Sequence, residues 1–503
     1  MTATELKAKR MTATELIDTV LDAGSFTSWD APVRRPVIGE KYAADLAAAE
    51  SKSGVDESVL TGEGLIRGRR VAVIVSEFRF LAGSIGQAAT ERITSAIERA
   101  TAEGLPLLAG PASGGTRMQE GTLAFLGMVA ITDAVRRHKE SGLPYLVYLR
   151  HPTTGGVMAS WGSLGHMTVA EPGALLGFLG PRVFETLNGT AFPPGVQVAE
   201  NLYRKGLIDA VVTPEELPAI VDRALRILTP TQGPDPAIVP EVRAGTPSDA
   251  SAWESILISR NPRRPDLRML LAAGAVDALP LNGTGQGEKD PGLILALARF
   301  GQQSCVVLGH QRPRHKDTPA MGPASLREAR RGMQLAEELQ LPLLTIIDTA
   351  GAALSKEAEE GGLAGEIARS LNELIGLKAP SVSVLLGQGT GGGALALLPA
   401  DRIIAAQHSW LSPLPPEGAS AIIHRTAEHA PEVAAAQGVE VASLTRIGLV
   451  DRVVEELPDA SLEPREFCTR MGQAIELELA NARAIPANER LARRRAKFRT
   501  LGA

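Results

Sequence analysis

Apolar residues along this chain form two alternating patterns, near-continuous short runs and stripes at helical spacing. Short apolar runs predict strands that are covered on both faces, and stripes at i, i+3 and i+7 predict helices with one buried face. The predicted strands are Val71–Val75, Tyr145–Leu149, Leu343–Ile347 and Val382–Leu386, and the stripes are Ile93, Ala96, Ile97, Ala100 and Leu326, Ala329, Met333, Ala336. This alternation predicts an α/β fold.

The two halves of the chain share landmarks at a nearly constant offset, which predicts an internal duplication. The offset is 236 or 237 residues. The aligned landmarks are Leu105–Leu108 with Leu341–Leu344, Gly155-Gly156 with Gly392-Gly393, Ala170 with Ala406, and Glu91 with Glu328. A stretch rich in Pro, Gly and small polar residues separates the copies. We therefore predict domains at 1–229 and 252–503, joined by a linker at 230–251.

Composition excludes several classes of function. The formal net charge is −5 over 503 residues and only 4% of them are aromatic, which argues against a nucleic-acid binder. No apolar run approaches the ~18–20 residues that span a bilayer, and the first residues do not resemble a secretory leader. Two cysteines without a CxxC pair exclude a four-cysteine zinc site within one chain. We expect a cytoplasmic protein with no metal, no membrane contact and no nucleic-acid partner.

Four glycine-rich loops follow predicted strands, two in each half: SGGTRMQEG (113–121), TTGGVMAS (153–160), DTAGAAL (348–354) and GQGTGGGALAL (387–397). Glycine after a strand lets backbone N–H groups face a ligand, and two converging N–H groups make an oxyanion hole. A single pair of glycines is explained more readily by a tight turn. Their symmetric placement in a duplicate favours function. The candidate residues are Gly114, Gly115, Gly155, Gly156, Gly351, Gly392 and Gly393.

Residues 387–392 also match GxGxxG, the dinucleotide-binding pattern. That fold needs a full helix after the glycines, and only Ala394–Asp401 precedes the next apolar run, which is too short. GxSxG, HExxH and Walker patterns are absent. The chain thus offers oxyanion stabilisers without a side-chain nucleophile or base, so we expect a partner to supply the base.

Basic residues near these loops are candidates for substrate binding. Arg312, Arg314 and Lys316 follow a predicted strand and would suit the phosphates of a CoA-type ligand, although a solvated loop explains them equally well. Arg117 lies beside the first glycine loop, where it would orient the loop or attract an anionic substrate.

These motifs resemble the carboxyltransferase family of acyl-CoA carboxylases, within the crotonase superfamily. The first half is similar to the bacterial acetyl-CoA carboxylase beta subunit through SGGTRMQEG, GLPYLVYLRHPTTGGVMASWGSLGH and VAEPGALLGFLGPRVFETL. The second half is similar to the alpha subunit through VVLGHQRPR, LPLLTIIDTAGA, GQGTGGGALALLPADRIIAA and LPPEGASAII. The resemblance covers about 60–215 and 252–455, and it implies two crotonase-like ββα-superhelix domains.

The resemblance also implies a reaction: carboxyl transfer from carboxybiotin, carried by a partner, to the α-carbon of an acyl-CoA. By resemblance, acetyl-CoA is the first expectation and propionyl-CoA the second, and biotin itself is the base. Glycines of the first half would serve the acyl-CoA and those of the second half biotin. The family builds each site between two protomers, which implies a homodimer or hexamer that works with biotin carboxylase and carrier subunits.

Two departures from the family and two alternatives accompany this interpretation. The zinc ribbon of the bacterial beta subunit is missing, and the usual DTPGAYPG is here DTAGAAL (348–354), which keeps the glycine but not Pro or Tyr. The alternatives are a decarboxylase component that acts on malonyl or methylmalonyl thioesters, and a non-catalytic scaffold subunit.

Overall fold

The computed structural model describes residues 10–33, 39–229, 243–312 and 320–502. Contacts divide the chain into Met1–Leu225 and Arg226–Ala503, here called unit 1 and unit 2. This division falls inside a helix that continues to Leu228. Most of the predicted linker, 230–242, lies outside the described residues. Its last part belongs to unit 2, where the N–H of Gly245 donates to the carbonyl of Val453 at 2.9 Å.

Unit 1 is built on a seven-stranded sheet in the order β1-β2-β3-β4-β5-β7-β9. The three strands at one edge are antiparallel and the remainder are parallel. The strands are β1 Thr27–Ser28, β2 Val59–Ile66, β3 Arg69–Ser76, β4 Leu107–Gly110, β5 Tyr145–Leu149, β6 Thr153–Thr154, β7 Met167–Ala170, β8 Leu176–Gly177 and β9 Ala210–Val211. The helices are α1 Ala13–Val20, α2 Glu40–Ser53, α3 Gln87–Ala102, α4 Gly121–Glu140, α5 Gly155–Met158, α6 Pro181–Asn188, α7 Ala199–Arg204 and α8 Leu217–Leu228.

Unit 2 repeats this order with β10-β11-β12-β13-β14-β15-β17, and β16 pairs with the end of β14. Its strands are β10 Asp277–Pro280, β11 Leu293–Phe300, β12 Gln303–His310, β13 Leu343–Thr349, β14 Ser381–Thr390, β15 Arg402–Ala406, β16 Trp410–Ser412 and β17 Arg452–Val454. Its helices are α9 Ala252–Ser259, α10 Leu267–Gly274, α11 Pro323–Glu338, α12 Lys356–Glu360, α13 Leu363–Gly376, α14 Gly391–Leu395, α15 Pro416–His424, α16 Ala430–Gln437, α17 Val441–Arg446, α18 Pro464–Ala484 and α19 Ala487–Arg499.

The predicted strands and helices are confirmed. Each apolar run lies within β3, β5, β13 or β14, and each stripe is the buried face of α3 or α11. The strands of both sheets are buried along nearly their whole length. In each unit they form part of a large apolar cluster. Within the described ranges, no helix is both long and apolar enough to cross a bilayer.

The structural equivalence of the two glycine loops differs by one residue from the alignment made from the sequence. Helix α5 begins at Gly155 with φ +63°, and α14 begins at Gly391 with φ +67°, so these two glycines are equivalent. For β3 and β12, which begin at Arg69 and Gln303, the offset is 234. From α3 to α5 the offset is 236, because α3 begins at Gln87 and α11 at Pro323. Gly156 therefore corresponds to Gly392 rather than to Gly393. By the same offset, Glu328 corresponds to Arg92 rather than to Glu91.

The basic C-terminal segment is partly buried. It forms α19, in which Arg490 and Arg494 are 6% and 1% exposed. Arg494 pairs with Asp401 at 2.9 Å and donates to the carbonyls of Leu374 and Leu377 at the end of α13. These arginines satisfy carbonyl groups that a helix end leaves unpaired.

Candidate active site

The first glycine loop of unit 1 follows β4 and is held by its own backbone. The N–H of Gly114 donates to the carbonyl of Ala82 at 2.9 Å, and the N–H of Gly115 donates to the hydroxyl of Ser113 at 3.0 Å. The N–H groups of the two predicted glycines are therefore already used. Within the described residues, the N–H of the next residue, Thr116, has no hydrogen-bond acceptor.

The second glycine loop of unit 1 contributes the start of α5. The N–H of Gly155 donates to the carbonyl of Phe178 at 2.8 Å. Gly156 is the second residue of α5, where an N–H has no acceptor inside the helix. The two loops touch backbone to backbone, because a Cβ on Gly115 would lie 3.2 Å from the nitrogen of Gly156. Unit 1 thus places the free N–H groups of Thr116 and Gly156 on adjoining loops.

Unit 2 builds the same arrangement from different side chains. The hydroxyl of Thr349 accepts the N–H of Gly351 at 3.1 Å, as Ser113 does for Gly115. The N–H of Ala353 donates to the carbonyl of Met321, which leaves Ala352 as the equivalent of Thr116. A Cβ on Gly393 would lie 3.7 Å from the nitrogen of Ala352. The free N–H groups here belong to Ala352 and to the first turn of α14, Gly392 and Gly393.

Sequence reasoning found the loops but missed two donors and the hydroxyls that hold the loops. Thr116 and Ala352 each follow a glycine with positive φ, Gly115 at +110° and Gly351 at +133°. Both pairs are separated by 236 residues, so the duplication carried a signal for them. The polar residue two positions before each of these glycines, Ser113 or Thr349, is the second signal.

Arg117 lies beneath the first glycine loop rather than in the open site. It is 1% exposed and pairs with Glu57, which is equally buried, through hydrogen bonds that include one of 3.0 Å. Burial by itself lowers the pKa of Arg117, but the hydrogen bonds and charge of Glu57 outweigh it and hold that pKa above its usual value. These contacts are consistent with the expected role of Arg117 in orienting the loop, and both expected roles stay predictions.

Arg312 likewise pairs inside unit 2. Its guanidinium contacts Asp348, which is 2% exposed, and donates to the carbonyl of Ser259 at 3.1 Å. Asp348 also accepts the N–H of Gln388 at 3.1 Å, so the pair links the ends of β13 and β14. Arg312 is therefore paired within unit 2, and its expected contact with a phosphate stays a prediction. Arg314 and Lys316 lie outside the described residues.

A pocket of about 520 Å³ lies beside the glycine loops of unit 1. Its lining includes three cationic side chains, Arg10, Lys52 and Arg79, and two carboxylates, Asp45 and Glu77. Ala82, whose carbonyl holds Gly114, also lines it. The guanidinium of Arg10 lies 4.7 Å from the centre of the Phe78 ring. In the part of the chain that the structure describes, no carboxylate pairs with Lys52 or Arg79. We call this cavity the unit 1 pocket.

The comparisons with known proteins agree with this arrangement. The family model described as "Carboxyl transferase domain" matches residues 4–492. The chain belongs to the carboxyl transferase family. It is 59% identical over 493 residues to the probable biotin-dependent acyl-coenzyme A carboxylase beta3 subunit of Mycobacterium tuberculosis, with 98% of this chain and 99% of that protein covered.

More distant relatives and solved structures are consistent with this assignment. The acetyl-coenzyme A carboxylase carboxyl transferase subunits beta/alpha of Salinispora arenicola are 35% identical, with 98% of this chain and 91% of that protein covered. The transcarboxylase 12S structure, described as a hexamer with bound methylmalonyl-coenzyme A, superposes with a TM-score of 0.72 at 22% identity. The superposition covers 92% of this chain and 89% of the transcarboxylase chain. It shows the shared two-domain crotonase-like fold.

The carboxyltransferase is thus of the biotin-dependent acyl-CoA carboxylase type, as the motifs predicted. Among the described residues, no three His, Cys, Asp or Glu side chains are placed to hold a metal ion together. Within the described residues, the groups at the glycine loops that have no hydrogen-bond partner are backbone N–H groups. The charged residues nearest to them, Arg117, Arg312 and Asp348, are paired with one another or with other buried groups.

Proposed function

We propose that this carboxyltransferase moves a carboxyl group from carboxybiotin on a partner protein to the α-carbon of a short acyl-CoA, with acetyl-CoA as the first substrate to test. The observation that carries the proposal is the pair of equivalent loop sets, one per unit, each with free backbone N–H groups at the same positions. Two reacting carbonyl groups, a thioester and a ureido group, each need such donors.

The unit 1 loops are proposed to hold the thioester. The N–H groups of Thr116 and Gly156 would donate to its oxygen and stabilise the negative charge that develops when the α-carbon loses a proton. Removing one such donor typically costs about 10²–10³ in kcat. The backbone contact between Gly115 and Gly156 fixes this pair before substrate binds. No reorganisation is then needed at the moment of reaction.

The unit 2 loops are proposed to receive biotin. A ureido ring needs N–H donors at its oxygen and a small apolar wall, and unit 2 offers both. Ala352 and Ala353 pack on an apolar cluster that includes Met321, and a Cβ on Gly351 would meet no atom within 4 Å. When bound, biotin supplies the carboxyl group and the base. The residues of this chain bind and orient it through Ala352, Gly392 and Gly393.

The unit 1 pocket is proposed to bind the phosphates of coenzyme A, in place of the cluster around Arg312. It is next to the thioester loops, and its volume lies within the ~300–1,000 Å³ of ligand sites. Arg79→Gln and Lys52→Gln should each raise KM for the acyl-CoA about tenfold. KM for biotin should not change, and Lys41→Gln, an exposed change on the same helix α2 outside the pocket, is the control.

A second copy of the chain is proposed to cover the apolar surface beside the unit 1 loops. Large side chains around these loops are exposed: Met118 79%, Phe125 62%, Val129 66%, Phe178 70% and Leu187 72%. Apolar surface of this kind usually marks an interface. Phe125→Asp should shift the assembly toward monomers in light scattering, whereas an unchanged mass would assign the surface to another occupant, such as a carrier subunit.

The reverse reaction tests the function. The purified protein is mixed with malonyl-CoA or methylmalonyl-CoA and biotin, and formation of acetyl-CoA or propionyl-CoA is followed. Biotin-dependent turnover is expected, and the faster substrate identifies the acyl group. Turnover that does not depend on biotin would point to a decarboxylase instead. A folded protein without turnover on either thioester would contradict the proposal and favour a scaffold role.

A further inference from the structure

Helix α2 forms one wall of the unit 1 pocket and also contacts the first glycine loop. Three of its side chains are buried and pack with Phe80 in one apolar cluster: Tyr42, Leu46 and Ala49. An adjoining face of the helix lines the pocket through side chains spaced at i, i+3 and i+7: Asp45, Ala48 and Lys52. The proposed reaction uses Lys52 and gives no role to the buried face.

The side chain of Tyr42 joins this helix to the end of the first glycine loop. Its hydroxyl donates to Oε1 of Glu120 at 2.5 Å and lies 3.5 Å from Nη1 of Arg117. The side chain of Glu120 is 4% exposed, and its other oxygen accepts the N–H of Gln87 at 2.6 Å, where α3 begins. Burial and the hydrogen bond to Glu120 raise the pKa of Tyr42 to about 12, so the hydroxyl keeps its proton at neutral pH.

The first glycine loop is thus supported on both sides of Thr116, the proposed donor to the thioester. On one side, the N–H of Gly114 donates to the carbonyl of Ala82. On the other side, Arg117 and Glu120 are held by the network that includes Tyr42. Lys52 lies on the same helix as Tyr42, ten residues further along, which is a rise of about 15 Å. A shift of α2 would therefore move a wall of the pocket and a support of the loop together.

Unit 2 lacks a counterpart of this helix. Strands β1 and β2 hold the same places at the edge of their sheet as β10 and β11. Residues 281–292, which connect β10 to β11 and are all described, contain no helix. The position equivalent to Glu120 is Lys356, whose side chain is 78% exposed and pairs with Glu360. Helix α2 and its tyrosine therefore belong to the unit that is proposed to bind the acyl-CoA.

We propose that Tyr42 is a positioning residue for the acyl-CoA side: its hydroxyl fixes α2 to Glu120, so that one connected support holds the phosphates at Lys52 and the thioester at Thr116. This inference rests on the proposed function of unit 1. Tyr42 is not expected to touch the substrate. Binding energy from a part of the substrate that does not react can serve to orient the part that does. The hydroxyl lets the phosphates of coenzyme A contribute to turnover at the thioester in this way.

Two thioesters in the reverse reaction test this connection. The acyl-CoA that turns over, malonyl-CoA or methylmalonyl-CoA, is compared with the matching acyl-pantetheine, which has the same thioester and no phosphates. Tyr42→Phe keeps the ring beside Phe80 and removes only the hydroxyl. We expect its kcat/KM to fall about tenfold for the acyl-CoA, the loss of one hydrogen bond to a charged group, and less than about twofold for the acyl-pantetheine. KM for biotin should not change.

Two further variants sharpen the result. Tyr148→Phe is the matched control, because it removes another buried hydroxyl of unit 1, which donates to the carbonyl of Val212 at 3.1 Å. It should leave the ratio of the two kcat/KM values unchanged. Glu120→Asp breaks the contact with Tyr42 from the other side by shortening the carboxylate. It should lower that ratio as Tyr42→Phe does, and it tests the proposal even if Tyr42→Phe does not fold.

Other outcomes overturn the inference. If Tyr42→Phe lowers kcat/KM equally for both thioesters, Tyr42 supports the loop without connecting it to the pocket. If both variants use the acyl-CoA like the wild type, the hydroxyl has no such role. A wild type that uses both thioesters equally well would overturn the pocket assignment together with the inference. Failure of the proposed function is distinct, since the wild type itself would then show no biotin-dependent turnover.

Discussion

Unit 1 and unit 2 share a strand order and the same glycine-loop backbone, yet different side chains support the loops. In unit 1 the buried Arg117–Glu57 pair lies under the first loop and the two loops touch. In unit 2 Arg312–Asp348 and His310 join the strand ends, and the loops stay farther from direct contact. The duplication thus conserved the positions of the backbone N–H groups, while different side-chain contacts support the loops in each copy.

The largest expected effect comes from placing a side chain where the two glycine loops of unit 1 touch. Gly115→Val introduces a side chain at φ +110° and 3.2 Å from backbone atoms of the second loop, which cannot move aside. We expect kcat of the reverse reaction to fall by about 10²–10³. Gly351→Val in unit 2 meets no neighbouring protein atom, so it should cost the fold only the strain of its φ of +133°, about 1–3 kcal/mol, and it should weaken binding of biotin, which is proposed to occupy that space.

The free energy of unfolding is measured for the same glycine variants. Gly173→Val, at φ +68° with no atom within 4 Å, measures the strain alone in unit 1. Equal losses of kcat for the Gly115 and Gly351 variants would contradict the difference between the two units.

The second prediction breaks the ion pair under the unit 1 loop. Arg117→Met leaves Glu57 buried and unpaired, which typically costs about 3–5 kcal/mol. Arg312→Met should cost less, because the Arg312 side chain is 18% exposed and Asp348 keeps the N–H of Gln388. Chemical denaturation of both variants gives the ranking, and a larger loss for Arg312→Met would reverse the comparison. Arg136→Met, an exposed arginine on α4, is the control.

The third prediction uses a position at which the units differ in charge. Arg92 of unit 1 pairs with Asp30 and Asp56, whereas the equivalent Glu328 is buried beside Arg331, Asp290 and Lys289. Burial raises the pKa of Glu328 to about 7 from 4.5. The folded state therefore binds more protons than the unfolded state between these values, and the free energy of unfolding falls as pH rises through that window.

Removing this titration should change the pH dependence of stability. Between pH 5 and pH 8 the free energy of unfolding of the wild type should fall by at most about 3 kcal/mol. The Glu328→Gln variant should show a smaller fall. Denaturation at both pH values measures it. Glu91→Gln, the exposed carboxylate four positions into α3, should leave the wild-type pH dependence intact. Parallel curves for wild type and Glu328→Gln would show that Glu328 does not titrate in this range.

Much of this arrangement could be predicted from local sequence. Tyr145–Leu149 coincides with β5, because a five-residue apolar run that follows Pro144 has the length of a buried strand and is too short for a typical helix. The register of the second glycine loop could not be read, since three consecutive glycines at 391–393 allow several alignments. Only the positive φ of Gly391 identifies the helix start. Local patterns also say nothing of partners distant in sequence, such as Glu57 for Arg117 or Asp401 for Arg494.

The C-terminal helix α19 has a consequence for how the chain is made. Arg494 satisfies carbonyl groups at the end of α13, and α13 packs against α14, where Ile367 lies next to Gly392. During translation α13 is synthesised more than a hundred residues before Arg494 is added. In the nascent chain, the end of that helix therefore lacks these donors until α19 has been made. The loops of unit 2 can settle only after α19 has been added, whereas those of unit 1 have all their parts much earlier.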